Sequence, residues 1–175
     1  SSRLRLELCL YRNRLTNLII RENLGPDWRW VNGGLLATTG GEASLEYRKG
    51  RLQAYLAYSY TGSLDPDGVQ VADIAPHGAT MGFLYAFSPR WRISLRGQYL
   101  GERTSAKIIP ATGGFGIDAA WIVRGALTYA PAHGLNLQLA VDNALDSVYY
   151  HPSILPPSRY RQPQRSIRLS AGYGF

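Results

Sequence analysis

The chain contains a single cysteine, Cys9. One cysteine permits neither an intrachain disulfide nor a cysteine-built zinc cluster. It reads simply as a small, half-buried residue. Charge is also scarce, at 18% of residues against 45% hydrophobic. A disordered chain needs the opposite balance and is excluded. No apolar run approaches the roughly 20 residues of a membrane-spanning helix. Barrel strands are short and alternate, so a membrane β-barrel stays open. Clustered basic residues are missing too. The net charge is +7, yet Lys and Arg stand singly along the chain. Nucleic acid needs a basic patch or stripe and is not an expected partner. The start shows neither an initiator Met nor a signal peptide and falls on an alternating strand, Arg3 to Leu8. The chain is therefore expected to be a fragment of a longer protein.

Tyrosine, with 12 copies, and glycine, with 19, are plentiful. They accompany a period-2 pattern, the mark of a strand with one apolar face. The pattern recurs eight times. Leu4, Leu6, Leu8 and Leu10 oppose Arg3, Arg5, Glu7 and Cys9. Ala43, Leu45 and Tyr47 oppose Ser44, Glu46 and Arg48, and Leu52, Ala54, Leu56, Tyr58 and Tyr60 follow. Then come Met81, Phe83, Tyr85 and Phe87, and next Trp91, Ile93, Leu95 and Tyr99. Trp121, Val123, Leu127 and Tyr129 form the sixth segment, and Leu135, Leu137, Leu139 and Val141 the seventh. The last carries Ile167, Leu169, Ala171, Tyr173 and Phe175.

Short connections at Lys49-Gly50, Ser88-Pro89-Arg90 and Ala130–Gly134 read as hairpin turns. Long polar stretches near 21–37, 62–75, 102–118 and 146–162 alternate with them, so all the long loops share one end. Tyr47, Phe87, Trp91, Tyr129 and Tyr173 flank the short turns, while Tyr58, Tyr60, Tyr99 and Trp121 lie toward the long loops. Two aromatic bands with aliphatic residues between them fit the two interfaces of a membrane. The fold class is therefore all-β, an antiparallel up-and-down transmembrane barrel segment of eight strands. Its expected location is the bacterial outer membrane, in contact with lipid, with short periplasmic turns and long extracellular loops. A soluble β-sandwich also alternates. It does not explain a uniform apolar face, charge at mid-strand, or loops segregated by length.

Four motifs resemble one family. Tyr11-Arg12-Asn13-Arg14-Leu15-Thr16-Asn17-Leu18-Ile19-Ile20 resembles a strand of TonB-dependent receptors. Tyr99-Leu100-Gly101-Glu102-Arg103 resembles their tyrosine-x-glycine-x-arginine strand end. Val141-Asp142-Asn143-Ala144-Leu145-Asp146, continuing to Tyr149 and Tyr150, is similar to their valine-x-asparagine-leucine-phenylalanine-aspartate signature. It departs from that signature at Ala144 and Leu145. Arg161-Gln162-Pro163-Gln164-Arg165, ahead of a strand ending in Phe175, resembles the closing strand. The resemblance implies that residues 1–175 are the C-terminal part of a 22-stranded barrel, with plug, coupling box and earlier strands outside this sequence. It implies energy-coupled uptake of a scarce nutrient, a ferric siderophore or cobalamin, driven by an inner-membrane complex through that missing N-terminal region. Tyr173 and Phe175 look like the signal read by the barrel-assembly machinery.

Alternation turns Arg92, Arg96, Arg124 and Arg168 toward the lumen, with Arg3, Arg5 and Arg48, against Glu7, Glu46 and Asp142. Such charge must be solvated or paired, and carboxylates on the plug or on neighbouring strands are the expected partners. A small-molecule chelate or vitamin would be gripped by loop and upper-lumen residues, with Trp28, Trp30, Arg103, Phe115, Tyr149, Tyr150, Arg159 and Tyr160 as candidates. Interface anchoring accounts for the tyrosines equally well. No cofactor, metal site or catalytic residue is expected. His77 and His151 are placed in long loops, without a nucleophile elbow. A complete small barrel with an adhesive, structural or narrow-pore role is the alternative function.

Overall fold

The computed structural model describes residues 2–105, 116–131, 134–153 and 159–174. Its strands are β1 (Ser2–Leu24), β2 (Asp27–Lys49), β3 (Leu52–Leu64), β4 (His77–Tyr85), β5 (Trp91–Leu100), β6 (Arg103–Thr104), β7 (Gly116–Ile117), β8 (Ala120–Tyr129), β9 (Leu135–Asp142), β10 (Tyr150–Pro152), β11 (Arg159–Arg161) and β12 (Ser166–Tyr173). Eight of them form one antiparallel meander in the order β1-β2-β3-β4-β5-β8-β9-β12. The short pairs β6–β7 and β10–β11 stand apart from it. Strands β1 and β12 are the two edges, and no pairing between them occurs among the described residues. The sheet is an open arc.

The register carries the alternation across the whole sheet. Leu6 faces Leu45, which faces Leu56, which faces Met81. Farther along, Tyr85 faces Ile93, then Leu127, Leu139 and Leu169 in turn. One face is therefore greasy from edge to edge, and no described residue covers it. Leu4, Leu6, Leu8, Leu10, Leu56, Phe83, Leu95, Leu139, Ile167 and Leu169 are all exposed. Among the described residues the buried apolar side chains are only Ile117, Ile122 and Ala140. A sandwich would bury such a face against a second sheet. An uncovered face of this extent exceeds what a soluble monomer shows, and hydrocarbon is the solvent that suits it.

The aromatic bands are continuous. Near the short turns Tyr85, Phe87, Trp91 and Tyr129 stack in sequence, with Trp91 and Tyr129 4.2 Å apart at their centroids. At the opposite rim Tyr99 packs on Trp121. His77, placed in a loop by the sequence pattern, is instead the first residue of β4. Its ring lies against Tyr58 and Tyr60, and its Nδ1 is 2.7 Å from the Tyr58 hydroxyl.

A second correction concerns residues 21–37, expected as a long loop. They are paired strand, the upper half of a β1–β2 hairpin closed by Gly25-Pro26. Gly25 takes φ of +73°, the left-handed conformation that favours glycine at the first position of such a turn. The periodicity hid this because Asn17, with φ of +57°, and Gly33 each form a bulge. Each bulge inserts one residue and moves the alternation to the other face. The two offset one another, so pairing resumes in register at Ile19 and Asn32. Strand β2 meets β3 only from Ala37 onward, so the hairpin stands above the sheet as a two-stranded arm. Strand β12 ends at Tyr173. Phe175, expected with Tyr173 to form the assembly signal, and Phe115, a candidate gripping residue, lie outside the described residues.

Candidate functional site

The polar face lines a concave trough. Its lower part, near the short turns, has a volume of about 490 Å³ and is walled by Arg48, Gln53, Tyr55, Arg96, Arg124, Asp142 and Arg168, among others. The upper part, about 650 Å³, is walled by Glu7, Cys9, Glu42, Ser59, Thr80 and Gln98. Charge is sorted by height. One cross-strand row reads Arg5, Glu46, Tyr55, Gly82, Arg96, Arg124. The row below it starts Arg3, Arg48, Gln53, and Arg92 lies lower still, opposite Thr128. The rows above read Glu7, Ser44, Ala57, Thr80, Gln98 and then Cys9, Glu42, Ser59, Gly78. The lower rows carry most of the arginines, together with Glu46 and Asp142, and the charges of the two rows above are carboxylates alone.

Neighbouring strands supply part of the expected compensation. Asp142 serves two arginines, with Arg124 Nε at 3.5 Å and Arg168 Nη2 at 3.9 Å. Within single strands, Arg48 lies 3.6 Å from Glu46 and Arg5 pairs with Glu7. These pairs are well exposed and contribute little individually. Arg92 and Arg96 have no carboxylate partner among the described residues. Arg96 stands directly opposite Arg124, a like-charge pair that opposes strand pairing. In this same row Tyr55 lays its ring across Gly82 on the facing strand.

Beyond the upper rim the loops are tied into one layer. Asp65 Oδ1 accepts from the backbone N–H groups of Asp67 and Val69, shaping the β3–β4 connection. The Asp73 N–H then donates to the Thr104 carbonyl at 2.7 Å. Arg103 is buried, and donates to the carbonyls of Gly101 at 3.2 Å and Tyr150 at 3.0 Å. Arg159 donates to the Gly116 carbonyl at 3.3 Å, with its guanidinium 4.6 Å above the Tyr150 ring. Three connections that are far apart in sequence thus meet around Arg103, Ile117 and Tyr150.

The candidate gripping residues fall into two groups. Arg103, Tyr149, Tyr150, Arg159 and Tyr160 come together in this layer, where the Tyr149 and His151 rings also meet at 5.9 Å. Arg103 spends two donors on protein carbonyls and so ties the β5–β8 and β9–β12 connections together. Trp28 and Trp30 are elsewhere, edge to face at 5.5 Å on the upper β1–β2 hairpin.

Burial lowers the pKa of Arg103, against an opposing pull from Asp73, and the guanidinium stays charged at any physiological pH. His151 is lowered as well, by burial first and by Arg103 second. The unfolded loop therefore takes up a proton more readily than the folded one. Stability from this group is full above the ordinary histidine range near 6.5 and is lost as pH falls below it. Protection of the β10 and β11 amides, relative to their intrinsic exchange rates at each pH, is expected to fall as pH drops below about 6.5, and His151→Phe to flatten that dependence. Equal pH profiles for the two proteins would discard the assignment.

No curated protein sequence matches the chain. Residues 1–144 match the family described as TonB dependent receptor-like, beta-barrel. The chain belongs to the TonB-dependent receptor family. Solved structures place this receptor segment in the same fold. The ferric-catecholate import receptor Fiu of E. coli superposes with a TM-score of 0.83 at 18% identity, over 99% of this chain and 25% of that one. The ferripyoverdine receptor of Pseudomonas aeruginosa, bound to ferripyoverdine, gives 0.81 at 17%, over 98% and 25%. The siderophore receptor PiuA of Acinetobacter baumannii gives 0.78 at 18%, over 97% and 26%. The receptor segment thus spans about a quarter of the length of these proteins. The family is one of outer-membrane β-barrels.

Two motifs of the receptor segment now have local physical reasons. Gly101 must be glycine because a Cβ there would lie 2.3 Å from the His77 carbonyl oxygen, to which its own N–H donates at 3.0 Å. Asn143 is buried with φ of +49°. Its Nδ2 donates to the carbonyls of Ser147, at 2.9 Å, and Pro163, at 3.3 Å, and its Oδ1 accepts from the Ser147 N–H. The Ser147 hydroxyl donates to the Trp121 carbonyl, and Asp146 accepts from the Arg165 N–H. This knot sets the path of the β9–β12 connection. Sequence reasoning assigned no role to Asn143 or to Asp142 as a shared anchor. The αL tolerance of asparagine, within the valine-x-asparagine motif, is the physical signal that points to the former.

Proposed function

We propose that residues 1–175 form the last eight strands of an outer-membrane receptor that imports a ferric siderophore or similar scarce nutrient, with energy supplied from the inner membrane. Membership of the TonB-dependent receptor family carries this reading. The ferric-catecholate, ferripyoverdine and siderophore receptors that share its fold favour an iron chelate over cobalamin. The segment contributes transport geometry and not catalysis. Its apolar face meets lipid, its trough walls the lumen, and the layer around Tyr150, Arg159 and Tyr160 offers rings and cations to an anionic or aromatic chelate. Tyr173 and Phe175 serve as the terminus read during barrel assembly.

The test is uptake. The receptor containing this segment, expressed in an iron-starved strain without its own siderophore receptors, is offered radio-iron on catecholate, hydroxamate and pyoverdine-type chelates, and labelled cobalamin alongside. Uptake of one ferric chelate is expected, abolished by a protonophore and reduced at least tenfold by the paired change Tyr150→Ala and Arg159→Ala. A tenfold loss corresponds to about 1.4 kcal/mol of lost ligand affinity. Uptake of none of the four, or uptake indifferent to the protonophore, would remove the proposal.

A further inference from the structure

Fixed charge is sorted between the two ends of the sheet. Residues 47–64, 74–101 and 119–141, which hold the short turns, contain no aspartate or glutamate. Asp65, Asp67, Asp73, Glu102, Asp118 and Asp146 belong to the long connections at the other end. Cations remain at the short turns, where Lys49, Arg51 and Arg90 are all exposed. Lys49 shares the face of Leu45 and Tyr47 and pairs with Leu52, so it points to the lipid side, roughly 7 Å beyond Tyr47. Arg51 Nη1 donates to the Phe87 carbonyl at 3.1 Å, which draws the guanidinium along the rim to the next turn. Arg90 occupies that turn, where the Ser88 hydroxyl oxygen accepts from the N–H groups of Arg90 and Trp91. Among the described residues no carboxylate meets any of these three cations.

We infer that this rim is a binding site for the phosphate groups of anionic phospholipid, in the leaflet at the short-turn end. This rests on the reading of the chain as an outer-membrane wall. Level and direction select a lipid. The cations lie just beyond the stacked band of Tyr85, Phe87, Trp91 and Tyr129, and such bands mark the membrane interface. Lipid phosphate is the next layer outward from that interface. Lys49 is directed away from the lumen, where a soluble anion would pass. From Lys49 on β2 to Arg90 at the foot of β5 is three strand intervals, or roughly 14 Å at the usual 4.8 Å spacing. That is the width of one or two lipid headgroups. The hydroxyls of Tyr47 and Tyr129 and the indole N–H of Trp91 belong to the same band and supply neutral donors to ester and glycerol oxygens. A zwitterionic headgroup brings its own ammonium beside the phosphate and gains less from the rim. Each cation near an anionic membrane surface strengthens association roughly fivefold.

Counting retained lipids by native mass spectrometry tests this. The whole receptor is reconstituted in vesicles of equal phosphatidylglycerol and phosphatidylethanolamine, then released intact with the lipids it holds. Retention biased toward phosphatidylglycerol is expected. The paired change Lys49→Gln and Arg90→Gln should lower that bias at least fivefold, by the loss of cations near an anionic surface. Neither change touches the bond from Arg51 to Phe87, so the turns stay formed. The charge-keeping pair Lys49→Arg and Arg90→Lys should preserve the bias. Arg12→Gln with Arg14→Gln is the control, because it removes the same charge from the part of β1 beyond the upper aromatic band. It should leave the bias unchanged. Excess inorganic phosphate at matched ionic strength should not displace the lipid. A native receptor without preference, an equal loss in the control pair, or displacement by inorganic phosphate would each overturn the site. If the receptor is not recovered from the vesicles as a folded, heat-modifiable species, the membrane reading fails first and this inference falls with it.

Discussion

Leu56→Arg is expected to cost the folded receptor about 2–4 kcal/mol, while Ala57→Arg, one residue along, costs little. Leu56 is on the greasy face, between Leu45 and Met81. It lies four residues above Leu52 at the short turn and four below Tyr60 at the upper band, so its side chain points into the middle of the hydrocarbon. A guanidinium there has no water and no partner, and it must snorkel along a tilted strand to reach either interface. Ala57 points the other way, into the upper trough beside Ser44 and Thr80. Water is available there, and Glu7 and Glu42 line the same space. Urea unfolding of the receptor in lipid vesicles measures both. A soluble sandwich would reverse or erase the difference, because either face could then be hydrated. Equal costs at 56 and 57, or a larger one at 57, would therefore overturn the assignment of faces.

Asn143→Ala is expected to undo the β9–β12 connection while leaving the sheet paired. The substitution removes three hydrogen bonds of a buried side chain, each contributing about 1 kcal/mol. It also places alanine at φ of +49°, where asparagine is tolerated and alanine is disfavoured by a further ~1 kcal/mol. A total near 3–4 kcal/mol is more than a hundredfold in the local opening constant. Hydrogen exchange should rise by that factor in residues 144–152 and 159–165 and stay unchanged in β3, β4 and β5. Asn143→Gly separates the two contributions. It relieves the backbone but not the bonds, so it should fall between alanine and the native protein. Exchange in Asn143→Ala equal to that of the native protein would show that the knot is incidental. Chelate uptake should fall in parallel, because Tyr149 and Tyr150 hang from this connection.

Much of the molecule was legible beforehand, and particular residues show why. The Leu4–Leu10 and Trp91–Tyr99 segments repeat every second residue, and a strand offers just two faces, so partition between hydrocarbon and water dictates their orientation. Gly50, with φ of +54°, and Gly134, with φ of +75°, mark turns through their conformation alone. Legibility failed where the backbone leaves the simple period. The Asn17 and Gly33 bulges hid the upper hairpin, although Ile19, Trp28, Trp30 and Val31 are strand-favouring residues. His77 falls outside the alternating segments of the sequence and so reads as a loop residue. It is held in β4 by Tyr58 and Tyr60, which lie on the preceding strand. For the candidate site, the direction of the lumenal arginines followed from parity. Their partners did not.

The scarcity noted at the outset, of cysteine, of charge and of long apolar runs, left a strand pattern as the means of building structure, and that pattern decided fold class, face assignment and the end at which the loops gather. Period and turn chemistry are local, so they can be read along the chain. The union of three loops around Arg103, the sharing of Asp142 by Arg124 and Arg168, and the isolation of Arg96 opposite Arg124 belong to the folded sheet. They depend on which rows of non-adjacent strands come level. Pairing register sets those rows, and register is a property of the assembled sheet and of no single segment.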